Sequence, residues 1–333
     1  MNKKLFGTLP GGEEVYIYSL VDGESRADVM NYGATILSFL PFGDVDVIGG
    51  FDNLEHYIGD ASYQGATVGR VANRISNASF EIEGKTYKVT NNEKNHCLHG
   101  GIGFKNRLWT VKEYKENSIT LSYFSPDGED GFPSDLEVEV TYTLKDASIQ
   151  IDYKAIPSGK TPIALTNHSY FNLDGFGKDI RTHKFQIFAD RYTQVDDDLI
   201  PTGNRPLVDS TPFDFRTPKF IVDEKGDFFD YDHNMILSPT TFKSFNGISL
   251  SLAVSVKNQN LILNMYTDQP GVQFYTGNFL GDGPCFKNNI SQVKHGAFCI
   301  EAQTEPNCVN NGYAIYDKGE IYSQHTVYEF KKK

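Results

Sequence analysis

The sequence predicts an all-β protein, a large antiparallel β-sandwich with few short helices. Three observations carry that expectation. Apolar and polar residues alternate with period two in run after run from about residue 15 to residue 330. Aromatic residues make up 13%, as 24 Phe, 19 Tyr and 1 Trp, and Phe and Tyr suit half-buried pleated surfaces. The regular strand–helix alternation that a doubly wound sheet requires is absent. With no Gly/Ser or Pro-rich linker in the 333 residues, the chain 1–333 reads as a single domain.

In chain order, DNLEHYIG (52–59) is the best helical signal, with Asp52 and Glu55 in the spacing of a capping box. ASFEIEGKTYKV (78–89) reads as a hairpin turning at Glu83-Gly84-Lys85. SITLSYFSPDGEDG ends a strand in a Ser-Pro-Asp-Gly turn. LEVEVTYTL puts Leu136, Val138, Val140, Tyr142 and Leu144 on one face and Glu137, Glu139, Thr141 and Thr143 on the other. After a short Lys145-Asp146-Ala147 connection, SIQIDYKAI repeats the pattern with Ile149, Ile151, Tyr153 and Ala155.

Composition bounds function. Hydrophobic residues at 39% and charged residues at 22% allow a packed core. The net charge of −12 argues against nucleic acid or an anionic membrane as partner. No apolar run approaches the roughly 18 residues of a membrane span. Lys3 and Lys4 are followed by no apolar signal-peptide core. The four cysteines are scattered, without a C-x-x-C pair, as suits a cytoplasmic, reduced protein.

Several stretches carry polar residues that need a reason. In NHCLHGG (95–101), His96 and His99 have the separation of some metal ligands. A metal would want third and fourth ligands, and no H-E-x-x-H or C-x-x-C accompanies them, so no metal is expected. In a strand leading to a turn, positions three apart point to opposite faces, which separates the two histidines. Gly100, Gly101 and Gly103 imply a bend where backbone approaches something closely, with a bound ligand as the expected neighbour. TPIALTNHSYFNL sets Ile163 and Leu165 on one parity and Ala164, Thr166 and His168 on the other. GAFCIEAQ sets Phe298 and Ile300 against Ala297, Cys299 and Glu301, and PGVQFYTGNF sets Val272 and Phe274 against Gln273 and Tyr275. A glutamate among Cys, Ala and Ile is costly to bury without a partner, which points to function; the alternative is an outward sandwich face. VGRVANRI offers Arg70, Asn73 and Arg74 as hydrogen-bond donors, and FDYDHNM holds Asp232, which by itself reads as part of an acidic loop. With no G-x-S-x-G elbow, an α/β-hydrolase is not expected.

Together the runs VGRVANRI, HCLHGG, SPDGEDGFP, LTNHSYFNL, PTG, DHN, QPGVQFYTGNF and CIEAQ resemble the aldose 1-epimerases, specifically the galactose mutarotases. They occur in that family's order, across residues from about 5 to 330. The resemblance implies a large antiparallel β-sandwich, no cofactor, no metal, and a free hexose whose α and β anomers are exchanged. It implies Glu301 as the base and His168 as the acid. It implies His99, Asn73, Arg74, Asp232 and Gln273 at the substrate. One departure is Ala302-Gln303-Thr304-Glu305-Pro306-Asn307, where the family commonly reads T-Q and a Trp-Pro-Asp-like turn. That departure is expected to bear on the wall of the sugar pocket and on specificity.

The chemistry suits these groups. Anomer exchange needs the C1 hydroxyl deprotonated and the ring oxygen protonated, then closure on the other face. A carboxylate and an imidazolium astride that C–O unit serve both directions. The expectation is an ionised Glu301 and a His168 whose proton affinity is raised by Glu301 or Asp232. Three alternatives remain. A hexose-6-phosphate 1-epimerase would need a basic cluster for the phosphate, and the motifs offer only Arg70 and Arg74. A non-catalytic sugar-binding protein could share the fold. A glycosidase would need a second carboxylate such as Asp232. The expected partner is a small hexose and the expected state a monomer or weak homodimer.

Overall fold

The computed structural model describes residues 2–333. Four strands, β1 (Asn2–Thr8), β2 (Glu14–Asp22), β3 (Ser25–Met30) and β4 (Thr35–Leu40), form an antiparallel sheet in sequential order. A nine-stranded sheet forms the other layer. Its order is Thr110–Tyr114, Ser118–Ser125, Leu136–Lys145, Ser148–Pro157, Tyr322–Lys332, Leu261–Thr267, Ile248–Lys257 and Lys184–Ile187, with Phe242–Phe245 also paired to Ile248–Lys257. A second four-stranded sheet holds Ala189–Tyr192, Asp232–Leu237, Gly271–Tyr275 and Cys299–Gln303.

The alternation read from the sequence decides which side of each strand is buried. Leu136, Val138, Val140, Tyr142 and Leu144 are fully buried, while Glu137 is exposed and Glu139, Thr141 and Thr143 are partly so. The hairpin to Ser148–Pro157 keeps full register from Leu136↔Pro157 to Lys145↔Ser148. One apolar cluster joins the three sheets. It contains Leu20, Val29 and Phe39 of the first, Val140, Ile151 and Met265 of the large sheet, and Val272, Phe274 and Ile300 of the third. The opposite face of that third sheet is therefore free to carry polar groups.

Three local expectations are corrected. The helix α1 (Leu54–Ile58) is capped by Asn53, whose side chain accepts the His56 N–H at 3.1 Å. Asp52 instead accepts the Asn288 N–H at 2.7 Å. TPIALTNHSYFNL is not one strand, because only Thr161–Pro162 and Thr166–Asn167 pair as ladders. Its parity survives, since Ile163 and Leu165 join the main core and Ala164 does not. The glycine bend at 100–103 approaches backbone rather than ligand. Gly100 has φ +79, and a Cβ there would lie 2.2 Å from the Gly69 carbonyl oxygen. Gly100→Ala is therefore expected to destabilise the fold by about 2–4 kcal/mol, read by denaturant melts, through left-handed strain plus a clash with immovable backbone. No helix among the described residues is long and apolar enough to cross a membrane.

Candidate active site

A cavity of about 650 Å³ opens beside the third sheet, within the roughly 300–1,000 Å³ usual for small-molecule sites. Its lining includes Asn73, Arg74, His99, His168, Asp232, Gln273 and Glu301, so all seven candidates converge. Strand register explains three of them. Gln273 lies opposite both Asn234 and Glu301, and Asp232 lies opposite Tyr275. Because Phe274 and Ile300 point into the core, their neighbours Gln273 and Glu301 face the cavity. Gln273 donates to Asp232 Oδ1 at 2.7 Å.

Glu301 is the least satisfied group. Its Oε1 lies 3.7 Å from His168 Nε2, and its Oε2 is buried with no hydrogen-bond partner. Burial, reinforced by Asp232, pushes its carboxyl well above the usual range. Burial pulls the His168 imidazole down to about 4. The expected direction for both groups is thus reversed. In the empty cavity desolvation of two lone charges outweighs their attraction, which disfavours the carboxylate–imidazolium pair. Asp232 is also raised by burial, opposed by Arg74 and by the Gln273 hydrogen bond.

His99 is fixed from both sides by one neighbour. Its backbone N–H donates to the Asn73 carbonyl at 2.9 Å, and the Asn73 backbone N–H donates to His99 Nδ1 at 3.1 Å. Burial first, then the positive charges of His168, Arg74 and Lys105, holds its proton affinity well below normal. A neutral ring whose Nδ1 accepts must carry its proton on Nε2, so His99 is a donor. His99, His168 and Glu301 do bring ligand-type atoms within 4.8 Å of one another. The donor tautomer of His99 opposes metal binding, since Nε2 would have to lose its proton.

His96 is elsewhere. Its Nδ1 accepts the Asn77 N–H at 3.1 Å, and its Nε2 lies 3.8 Å from Asp198. Arg70 also leaves the site. It is buried and donates to Ser125, Pro126, Pro133, Ser134 and Thr161, which leaves Arg74 alone of the two arginines the motifs offered to a phosphate. The atypical stretch 302–307 contributes nothing to the described lining. Glu305 there pairs with Arg205 at 2.6 Å, and Ala302 packs into the core.

Sequence reasoning missed Glu93 and Tyr63. Glu93 grips Arg74 with two bonds, Nε at 2.7 Å and Nη2 at 2.8 Å, which leaves both N–H groups of Nη1 and the second of Nη2 as further donors. Tyr63 packs on His99 with ring centroids 4.5 Å apart and lies 6.0 Å from the His168 ring. Nothing in the local pattern distinguishes either residue. We expect Glu93→Gln to raise KM about tenfold with little loss of kcat, by freeing Arg74, as initial rates over a range of sugar concentrations would show.

A family model described as Aldose 1-epimerase matches residues 16–329. The chain belongs to the aldose 1-epimerase family. It is 40% identical to the galactose mutarotase of Homo sapiens over 99% of this chain and 98% of that one. It is 37% identical to the aldose 1-epimerase of Haemophilus influenzae over 92% of each. Among solved structures, an aldose epimerase homologue from C. elegans superposes with a TM-score of 0.86 at 29% identity, covering 95% of this chain and 98% of that one. The family's antiparallel sandwich is the architecture described above.

Proposed function

We propose that this chain is an aldose 1-epimerase that exchanges the α and β anomers of free hexoses such as galactose and glucose. One observation carries the reading: a buried, unpartnered carboxylate oxygen on Glu301, on the wall of a hexose-sized cavity, with an imidazole nitrogen 3.7 Å from its sister oxygen. An orphaned buried acceptor is costly and is expected to meet a hydroxyl of the substrate.

In this reading the sugar's C1 hydroxyl donates to Glu301, replacing the hydration the carboxylate lost. Hydrogen bonds to the charged form lower its proton affinity. The charge state that reacts is a Glu301 carboxylate and a His168 imidazolium across one C–O unit. Glu301 takes the O1 proton while His168 protonates the ring oxygen, and the C1–O5 bond breaks. Rotation about C1–C2 and the reverse transfers close the other anomer. His99 Nε2–H, Arg74 Nη1, Gln273, Asn73 and Asp232 hold the hydroxyls.

The other features of the reading are proposals as well. Chain 1–333 is one domain, supported by a core cluster that runs from Tyr18 to Phe330. A cytoplasmic place is supported by four free cysteines. Polarimetry on freshly dissolved α-galactose and α-glucose tests the activity. A rate above that of buffer supports epimerisation; binding without any acceleration on a panel of hexoses overturns it in favour of a sugar-binding protein.

A further inference from the structure

We infer that Cys299 is the positioning residue of His168: its thiol donates to Nδ1 and holds the ring as the Nε2–H tautomer. Cys299 lies two residues before Glu301 on the same strand, so both side chains leave the same face. Its Sγ is 3.5 Å from His168 Nδ1, and it is completely buried. His168 Nε2 points the other way, 3.7 Å from Glu301 Oε1. The imidazole is therefore held between a thiol and a carboxyl. The remaining groups around the ring are His99, Tyr63, Tyr170 and Tyr275, with the residue's own backbone carbonyl as a competing acceptor for a ring N–H.

A thiol is a weak donor and a weak acceptor. Burial, with Glu301 and Asp232 nearby, keeps Cys299 as S–H at any working pH. With Nδ1 accepting from S–H, the ring proton must sit on Nε2, where the acid is needed. A carboxylate in that place would stabilise the imidazolium and make it a reluctant donor. In the imidazolium Nδ1 is protonated and donates to Sγ instead, so the neutral thiol orients the ring in both states without adding charge, and Nε2–H remains a strong acid toward a weakly basic ring oxygen. The functional part of this inference rests on His168 being the acid; the tautomer does not.

Nitrogen-15 histidine NMR on the full chain reads the tautomer directly, with the His168 signal identified by its loss in His168→Gln. Wild type is expected to show protonated Nε2 and bare Nδ1. Cys299→Ala, and Cys299→Val, which refills the space without a donor, are expected to mix the tautomers. Both should lower kcat about tenfold with KM within twofold, and displace the acid limb of the kcat–pH profile. Cys299→Ser, a stronger donor, should restore both readouts. A wild-type ring protonated at Nδ1, or Ala and Val variants with unchanged tautomer and pH profile, overturns the inference. Correct tautomer shifts in a protein that accelerates no anomer exchange would instead overturn the proposed function.

Discussion

Glu301→Gln is expected to abolish anomer exchange and at the same time raise the melting temperature. The amide cannot accept the C1 proton, which removes about 10²–10⁴-fold of rate. It also removes a buried carboxyl whose Oε2 has no partner and whose ionised form is disfavoured by burial and Asp232. The pH dependence has a definite sign. Glu301 binds its proton more tightly folded than unfolded, where a Glu titrates near ~4.3. Its contribution is therefore intact below that value and lost as pH rises towards the folded value. Gln does not titrate, so the gap between variant and wild type should widen from about pH 4.3 upward, by roughly 1–3 kcal/mol in all. Polarimetry and thermal melts across pH check both halves. A variant that is active, or less stable at pH 8 than wild type, refutes the assignment.

His168→Asn is expected to cost a similar 10²–10⁴-fold in kcat with a modest change in KM, because the acid acts on the ring oxygen as the bond breaks. Its stability signature is opposite in sign to that of Glu301. The imidazole is held at about 4, below its ordinary 6.5. That stability is present above pH ~6.5 and lost as pH falls through about 4. Wild type should therefore lose stability faster than the variant between those values. If His168→Asn retains activity within threefold while His99→Asn does not, the acid is His99. The neutral donor form of His99 argues the other way, since Asn73 occupies its Nδ1.

Much of the sandwich was legible in the sequence because strand burial has period two. Leu136 to Leu144 and Phe298 to Glu301 announce their buried and functional sides without any knowledge of neighbours. Grouping the site was harder. From residue types alone, His168 and His99 were equivalent, and only resemblance to the family ranked them. Glu93 and Tyr63 carry no periodic signal, because their roles come from loops that fold back onto Arg74 and His99. The glycine bend was read correctly as a close approach, but its partner is the Gly69 backbone.

The sequence by itself determined the fold class, the buried parity of each strand, and which polar residues stood out against an apolar background. These follow from local alternation and from the cost of burying charge. Only the tertiary structure decided that His96 and Arg70 leave the site, that His99 Nδ1 accepts from Asn73, and that burial raises the proton affinity of Glu301 while lowering that of His168. Those properties depend on desolvation and on contacts between residues distant in sequence. They appear only when three sheets close around one cavity and take water away from its walls.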